Sequence, residues 1–224
     1  ISQKRPEHKW KYKSSRHKAK TIQIQVPINP GNSGGPLFNK DQKLINKGQN
    51  YLYYPHGRCW IHNYEGIDDK TKFCSIFASD KAMTLGHRLR HMIIDRYRST
   101  DKMDCYGKYS GNVLEKKEDG LNPYRFSVTI ENAIVRGYWT EKLLDAFATK
   151  SIPIYYGDKF SVNKFFNEDG IIYFDTIEQL DEIMEKIQGD DNGVSFYEER
   201  LDAIEENFKK VEEFRVPEDW IFEE

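Results

Sequence analysis

Two arginines follow a predicted strand at the start of a predicted helix. Residues 72–78 form a short apolar run that is typical of a buried strand, and residues 84–98 carry apolar side chains at helical spacing. Arg88 and Arg90 are among the polar residues of this helix. A helix N-terminus that follows a strand and carries cations suits the binding of an anion. An ordinary basic helix face explains the same residues without a ligand.

A second helix is predicted over residues 139–149, and its first turn has an unusual charge. Thr140 can cap this helix, and the carboxylate of Glu141 suits the positive end of the helix dipole. Lys142 does not, because a cation is disfavoured near that end. A bound anion in front of the helix would explain the lysine, whereas an exposed helix start would need no ligand.

The segment Ile28 to Leu37 (Ile-Asn-Pro-Gly-Asn-Ser-Gly-Gly-Pro-Leu) resembles the catalytic-serine region of trypsin-like proteases of the high-temperature-requirement type. In those enzymes, glycines around the serine let backbone N–H groups form an oxyanion hole. In this chain only His8 and His17 precede Ser33, and Asp41 is the first aspartate. Because a serine without a positioned base is a weak nucleophile, we interpret this segment as a turn that mimics the protease motif.

Charge is unevenly distributed along the 224 residues, whose formal net charge is -2. Residues 1–20 hold eight Lys/Arg and one acid, with Trp10 and Tyr12 interleaved, whereas residues 175–224 hold eighteen Asp/Glu and five Lys/Arg. The basic segment could contact phosphates and stack bases, but no nucleic-acid-binding motif accompanies it, so we expect no nucleic-acid partner. Solvated polar surfaces explain both ends of the chain.

Composition excludes several classes of protein. An aromatic content of 14% argues against general disorder. No apolar run approaches the ~20 residues that a transmembrane helix needs, and nothing at the start of the sequence resembles a signal peptide. The three cysteines (Cys59, Cys74 and Cys105) are too few and too scattered for a disulfide framework or a Cys-x-x-Cys metal site. These features predict a globular, cytoplasmic protein without a membrane span.

Strands and helices alternate through the rest of the chain. Further strands are predicted over Arg125 to Glu131, Ile152 to Tyr156 and Ile171 to Phe174, and further helices from Thr176 onward and over Ser195 to Phe214. This alternation predicts an α/β fold with a parallel sheet. Such sheets bind ligands beyond the carboxyl ends of their strands. The Gly-x-Gly-x-x-Gly fingerprint of dinucleotide-binding proteins is absent from the sequence.

Three consecutive blocks, at residues 124–132, 138–147 and 152–157, together resemble glycosyltransferase family 10, the α-1,3/1,4-fucosyltransferases. The family patterns are Phe-Ser-x-x-x-Glu-Asn, Tyr-x-Thr-Glu-Lys-x-x-Asp-Ala and Ile-Pro-Ile-Tyr-x-Gly. In this sequence they match Tyr124 to Asn132, Tyr138 to Phe147 and Ile152 to Gly157, in the same order. The resemblance extends more loosely over residues 50–220. We therefore expect a basic leader over residues 1–49 and a nucleotide-sugar (donor) binding domain over residues 50–224.

The resemblance also implies a fold and a donor site. The fold is a Rossmann-like parallel sheet with helices on both faces, corresponding to the C-terminal half of the two-domain GT-B fold. The donor-site residues of the family fall on Asn132, Tyr138, Glu141 and Lys142. Its phosphate-contacting arginine falls on Arg90, with Arg88 as the second candidate.

The reaction implied by the resemblance is an inverting transfer of fucose from GDP-fucose to a hydroxyl of a glycan acceptor. Arginine and lysine can neutralise the departing diphosphate, so we expect neither a metal ion nor another cofactor besides the donor. The family's catalytic base is a carboxylate in an N-terminal acceptor-binding domain, which residues 1–49 do not resemble. We therefore assign the base neither to Glu7 nor to Asp41. A truncated enzyme, an enzyme completed by a partner and a non-catalytic nucleotide-sugar-binding domain all fit this pattern.

Overall fold

The computed structural model describes residues 59–61 and 69–214 and, among residues 1–58, the backbone of four short strands. The chain divides into two compact units, residues 1–35 and residues 36–224. The serine segment at residues 28–37 and the carboxylates Glu7 and Asp41 lie outside the described residues. The expected division into a leader (1–49) and a donor domain (50–224) stays a prediction.

The first unit contains two small antiparallel sheets. Strand β1 (Gln3–Lys4) pairs with β4 (Ile22–Gln23), and β2 (His8–Tyr12) pairs with β3 (Ser15–Ala19). In the longer pair, Lys9 is opposite Lys18 and Lys11 is opposite Arg16. Because paired residues and alternate residues share a face of a sheet, these four positions lie on one face.

The second unit contains a five-stranded parallel sheet. Its strands are β5 (Lys72–Phe77), β6 (Asp104–Tyr106), β7 (Tyr124–Ile130), β8 (Ile152–Tyr156) and β9 (Ile172–Tyr173). Their order in the sheet is β6-β5-β7-β8-β9, and all neighbouring strands are parallel. The direction of winding therefore reverses between β5 and β7. The carboxyl ends of these two strands form a switch point, where open α/β sheets bind their ligands.

Helices connect the strands of this sheet or follow its last strand. They are α1 (Leu85–Tyr97), α2 (Glu141–Ala148), α3 (Lys159–Val162), α4 (Ile177–Gln188), α5 (Val194–Glu198) and α6 (Leu201–Lys210). Short 3-10 helices lie at Lys117–Gly120, Glu168–Gly170 and Val211–Phe214. The helices α1, α2 and α4 begin after Thr84, Thr140 and Thr176. The hydroxyl of each threonine accepts a hydrogen bond from a backbone N–H of the first turn.

The core has two layers, one on each face of the sheet. Phe126, Val128 and Ile130 of β7 belong to a cluster with apolar residues of α1 and α4. Tyr155 of β8 and Leu143 of α2 belong to a second cluster. Helices therefore pack on both faces of a parallel sheet, and the expected α/β fold is confirmed.

Two details differ from the sequence-based prediction. Strand β6 was not predicted, because Asp-Cys-Tyr is too short to show a periodic pattern. The single helix expected over Ser195 to Phe214 is wrong, since α5 ends at Glu198 and α6 begins at Leu201. Arg200 stabilises this break: its Nη1 donates to Phe196 O at 2.9 Å and its guanidinium lies 3.5 Å from the centre of the Phe196 ring. The side chain thus occupies a carbonyl that a continuous helix would use.

Candidate functional site

The loop that follows β7 lies at the switch point and contacts the start of α1. The Gly86 N–H donates to Asn132 O at 3.2 Å. A Cβ at residue 86 would lie 1.9 Å from Glu131 O, so glycine is needed for this close approach. The contact brings the first turns of α1 next to the residues that follow β7.

Arg90 extends from α1 across the carboxyl end of β7. Its side chain is buried, and the guanidinium donates to Ile130 O (Nε, 3.2 Å) and Asn132 Oδ1 (Nη2, 2.9 Å). Burial lowers the pKa of the Arg90 guanidinium, and the carboxylates of Glu131 and Glu141 act in the opposite direction. Arg88, by contrast, is exposed, and its Nε donates to a carbonyl in the loop before α1. The structure therefore brings Arg90, and not Arg88, to the end of β7.

Lys142 is held by two carboxylates at the start of α2. Its Nζ lies 2.8 Å from Glu141 Oε1 and 3.7 Å from Glu131 Oε2. Burial raises the pKa of the Glu141 carboxyl, but Lys142, with smaller contributions from Lys117 and Thr140, brings the pKa below its usual value. These carboxylates offset the unfavourable interaction of Lys142 with the helix dipole. A bound anion is therefore not required to explain the lysine, contrary to one interpretation of the sequence.

Glu131 connects the end of β7 to the start of α2. It is fully buried, and its carboxylate accepts hydrogen bonds from the Thr140 N–H (2.8 Å), the Thr140 hydroxyl (2.8 Å) and the Tyr155 hydroxyl (3.3 Å). Sequence reasoning quoted this residue as part of a family block but did not assign it to the site. Its position directly after a strand and before Asn132 was the available signal, and the structure shows that Glu131 positions the first turn of α2.

Asn132 connects Arg90 to Tyr138. Its side chain accepts from Arg90 and also forms a hydrogen bond with the Tyr138 phenol. Burial, followed by the negative charges of Glu131 and Glu141, raises the pKa of Tyr138, so the phenol stays neutral. Arg90, Asn132, Tyr138, Glu141 and Lys142 are thus brought together around the end of β7, as the sequence predicted for one site.

His87 lies in the first turn of α1, close to the same charges. It is buried, and its Nδ1 lies 2.6 Å from Thr84 Oγ1. Burial, and then the positive charges of Arg90 and Lys142, lower the pKa of His87 to about 4. The imidazole is therefore neutral at pH 7, and its lowered pKa reflects burial first and the nearby positive charges second.

A cavity of about 40 Å³ lies beneath the carboxyl ends of β5 and β7. Three cationic side chains line it, namely those of Arg90, Lys117 and Lys142. The remaining lining comes from Phe77, Leu121, Ser127, Val128, Thr129 and Ile130. Sequence reasoning did not single out Lys117, because it follows Lys116 in a charged loop and no local pattern separates the two lysines.

No group of three His, Cys, Asp or Glu side chains within residues 59–61 and 69–214 could hold a metal ion. Across the same residues, every helix is too short or too polar to span a membrane. The expected absence of a cofactor and the expected cytoplasmic location stay predictions.

Two curated relatives are considerably longer than this chain. A protein of Acanthamoeba polyphaga mimivirus that carries a provisional fucosyltransferase name is 27% identical over 202 residues, which cover 75% of this chain and 32% of the relative. An α-(1,3)-fucosyltransferase of Helicobacter pylori is 29% identical over 133 residues, which cover 58% of this chain and 27% of the relative. The chain thus spans about a third or less of the length of these relatives.

Solved structures and a family model also match parts of this chain. Crystal structures of an α1,3-fucosyltransferase with GDP and with GDP-fucose have TM-scores of 0.48 and 0.47 at 24% identity, and the matches cover 70% of this chain and 48% of theirs. The model of the C-terminal region of glycosyltransferase family 10 (fucosyltransferase) matches residues 67–213. This match covers well over half of the 224 residues and includes the residues around the end of β7. The chain therefore belongs to glycosyltransferase family 10.

Proposed function

We propose that this chain is the donor-binding part of an inverting glycosyltransferase that transfers fucose from GDP-fucose to a sugar hydroxyl. One observation carries the proposal: Arg90 of α1 and Lys142 of α2 line one cavity at the switch point between β5 and β7. Two cations from separate helices suit the two adjacent anionic groups of a diphosphate. The family and the name of the Helicobacter pylori relative support fucose as the sugar.

The cations would act mainly on the leaving group. When the bond between the anomeric carbon and the diphosphate breaks, negative charge develops on the phosphate oxygen that departs with GDP. Arg90 and Lys142 would stabilise that charge more strongly in the transition state than in the bound donor, which is the condition for catalysis. The positive end of α2 would add to this stabilisation.

The neighbouring residues have separate roles in this proposal. Glu141, whose lowered pKa keeps it ionised, would accept hydrogen bonds from ribose or fucose hydroxyls. Tyr138 would pack on the sugar or the base, and Asn132 would hold Arg90 in place. Arg88 stays a second candidate for phosphate contact, from the exposed side of α1.

A glycan would be the acceptor, and its proton would be taken by a general base that we do not assign. The region matched by the family model is its C-terminal part, and the curated relatives are much longer than this chain. This observation supports a second candidate function, in which the chain binds the nucleotide sugar without transferring it. An assay of GDP release from GDP-fucose, with and without glycan acceptors, separates the two functions.

Calorimetric titration with GDP tests the donor site directly. Wild-type protein should bind GDP more tightly than UDP or CDP, and Arg90→Ala should weaken GDP binding about 100-fold, because a charge-assisted contact to phosphate is lost. Arg98→Ala is the matched control, since Arg98 is half-exposed at the end of α1 and pairs with Asp95. Equal GDP affinity of the wild type and Arg90→Ala would refute the assignment of the site.

A further inference from the structure

A third cationic residue, Lys117, faces the cavity that Arg90 and Lys142 share. Lys117 lies in the 3-10 helix between β6 and β7, and its side chain is 27% exposed. Two aromatic rings lie near its ammonium group: Nζ is 5.6 Å from the centre of the Trp60 ring and 5.9 Å from that of Phe77. Because burying a charged group costs free energy, a lysine with this little exposure needs a strong interaction with an opposite charge.

Asp145 provides that interaction. Its carboxylate is fully buried, and Oδ2 lies 2.5 Å from Lys117 Nζ. Oδ1 accepts hydrogen bonds from the Trp60 N–H at 2.8 Å and from Cys59 Sγ at 3.2 Å. Burial lowers the pKa of Lys117, but Asp145, with smaller contributions from Glu141 and Cys59, raises it above its usual value, so the lysine stays charged. Asp145 therefore fixes Lys117 at the cavity and holds residues 59 and 60 beside it.

The charges around the cavity are balanced only when Lys117 is counted. Arg90, Lys117 and Lys142 face the buried or mostly buried carboxylates Glu131, Glu141 and Asp145. Without Lys117 the cluster would have a net negative charge, which would repel a phosphate at this short range. The charge of Lys117 is thus needed to balance the carboxylates around the cavity, whereas the charge of an ordinary surface lysine would not be.

We propose that Lys117 is a third phosphate-binding residue of the donor site and that Asp145 is its positioning residue. The inference rests on the proposed function, because it assumes that a diphosphate binds at this cavity. Lys117 would donate to a phosphate oxygen while its other N–H bonds keep the contact with Asp145, since an ammonium group has three donors. The same carboxylate binds the Trp60 N–H and so keeps the Trp60 ring near the ammonium group of the lysine.

A double variant separates phosphate binding from simple charge balance. We expect Lys117→Met to weaken GDP binding about 10- to 100-fold in calorimetric titrations, in the range of a lost charge-assisted hydrogen bond. Lys117→Met combined with Asp145→Asn removes both charges and leaves no unpaired buried carboxylate, and we expect GDP binding to stay weak. Lys117→Arg should restore much of the affinity. Lys116→Met, a change at the neighbouring exposed lysine, should bind GDP like the wild type.

Guanosine provides the second readout, because it lacks phosphate. Its affinity should be the same in the wild type, Lys117→Met and the double variant. Recovery of wild-type GDP affinity in the double variant would overturn the inference, as would equal losses for guanosine and GDP, since either result makes Lys117 a structural counter-ion. A wild-type protein that binds no GDP would instead overturn the proposed function, and this inference with it.

Discussion

Lysines lie at both ends of α2, and they are held in opposite ways. At the C-terminal end, Lys70 Nζ donates to Asn122 O at 2.7 Å and also to Thr149 O, a carbonyl that the end of the helix leaves without a helical partner. At the N-terminal end, Lys142 meets the carboxylates of Glu141 and Glu131. The helix dipole favours the first cation and disfavours the second.

The difference reflects the two edges of the parallel sheet. Because α2 connects two parallel strands, its C-terminal end lies at the amino edge of the sheet and its N-terminal end at the carboxyl edge. Arg125 repeats the pattern of Lys70 at the amino edge, where it donates to Asn192 O at 3.1 Å and to Lys70 O. Lys70 and Arg125 at the amino edge are thus bound to neutral carbonyls of the chain, whereas Lys142 at the carboxyl edge is paired with carboxylates beside a cavity. We infer that the first two cations serve stability and that Lys142 serves binding.

The largest expected effect is that of Lys142→Met on GDP affinity. We expect a loss of about 100-fold, because a charged donor to phosphate disappears. The free energy of unfolding of the ligand-free protein should change by less than about 1 kcal/mol, since the change also removes a cation from the positive end of a helix. Calorimetric titration and urea unfolding measure the two quantities. A large loss of stability with unchanged GDP affinity would reverse the roles that we assign to the two edges.

Lys70→Met should have the opposite effect. We expect the free energy of unfolding to fall by about 2–3 kcal/mol, because buried carbonyls lose a charged donor, while GDP affinity below the melting temperature stays at the wild-type value. Lys186→Met is the matched control, since Lys186 is exposed on α4 and should change neither quantity appreciably. If Lys70→Met weakened GDP binding as strongly as Lys142→Met, the two edges would not be functionally distinct.

Local signals predicted most of the fold. The starts of α1, α2 and α4 follow from capping threonines and apolar spacing, which are properties of a few adjacent residues. Two features could not be predicted from such local signals. The edge strand β6 depends on pairing with β5, which is distant in the sequence, and the break before Arg200 depends on a single side-chain contact.

The site was predicted less completely than the fold. The family blocks placed Asn132, Tyr138, Glu141 and Lys142 in one site, and the structure brings them together. The pair formed by Lys117 and Asp145 joins residues 28 positions apart, and neither residue belongs to a pattern that predicts the other. The charge of Lys142 was interpreted from the helix dipole alone, because the proximity of Glu131 depends on how β7 packs against α2.

Glu131→Gln should have an intermediate effect on both the free energy of unfolding and the GDP affinity. It would therefore show how far stability and GDP binding depend on the same residue. Its carboxylate receives two hydrogen bonds from Thr140 and lies near Lys142. We expect the free energy of unfolding to fall by about 1–3 kcal/mol, because an amide accepts these bonds less strongly. GDP affinity should fall by less than in Lys142→Met, since the cation itself remains. Glu182→Gln, at an exposed position of α4, provides the control. If Glu131→Gln lowered GDP affinity more than Lys142→Met does, the predicted order of the two effects would be wrong.

The smallest effect concerns the pKa of His87, which is lowered from 6.5 to about 4 by burial and then by Arg90 and Lys142. The unfolded chain binds a proton at this imidazole more readily than the folded protein does. The contribution of His87 to the free energy of unfolding should therefore be fully present above pH 6.5 and should be lost as the pH falls toward 4. NMR titration of His87 should show a higher pKa in Lys142→Met, though still below 6.5, because burial is the larger cause. Lys70→Met should leave the pKa at the wild-type value, since Lys70 lies at the other edge of the sheet. A rise in Lys70→Met but not in Lys142→Met would show that the positive potential at the carboxyl edge does not come from the residues around the cavity.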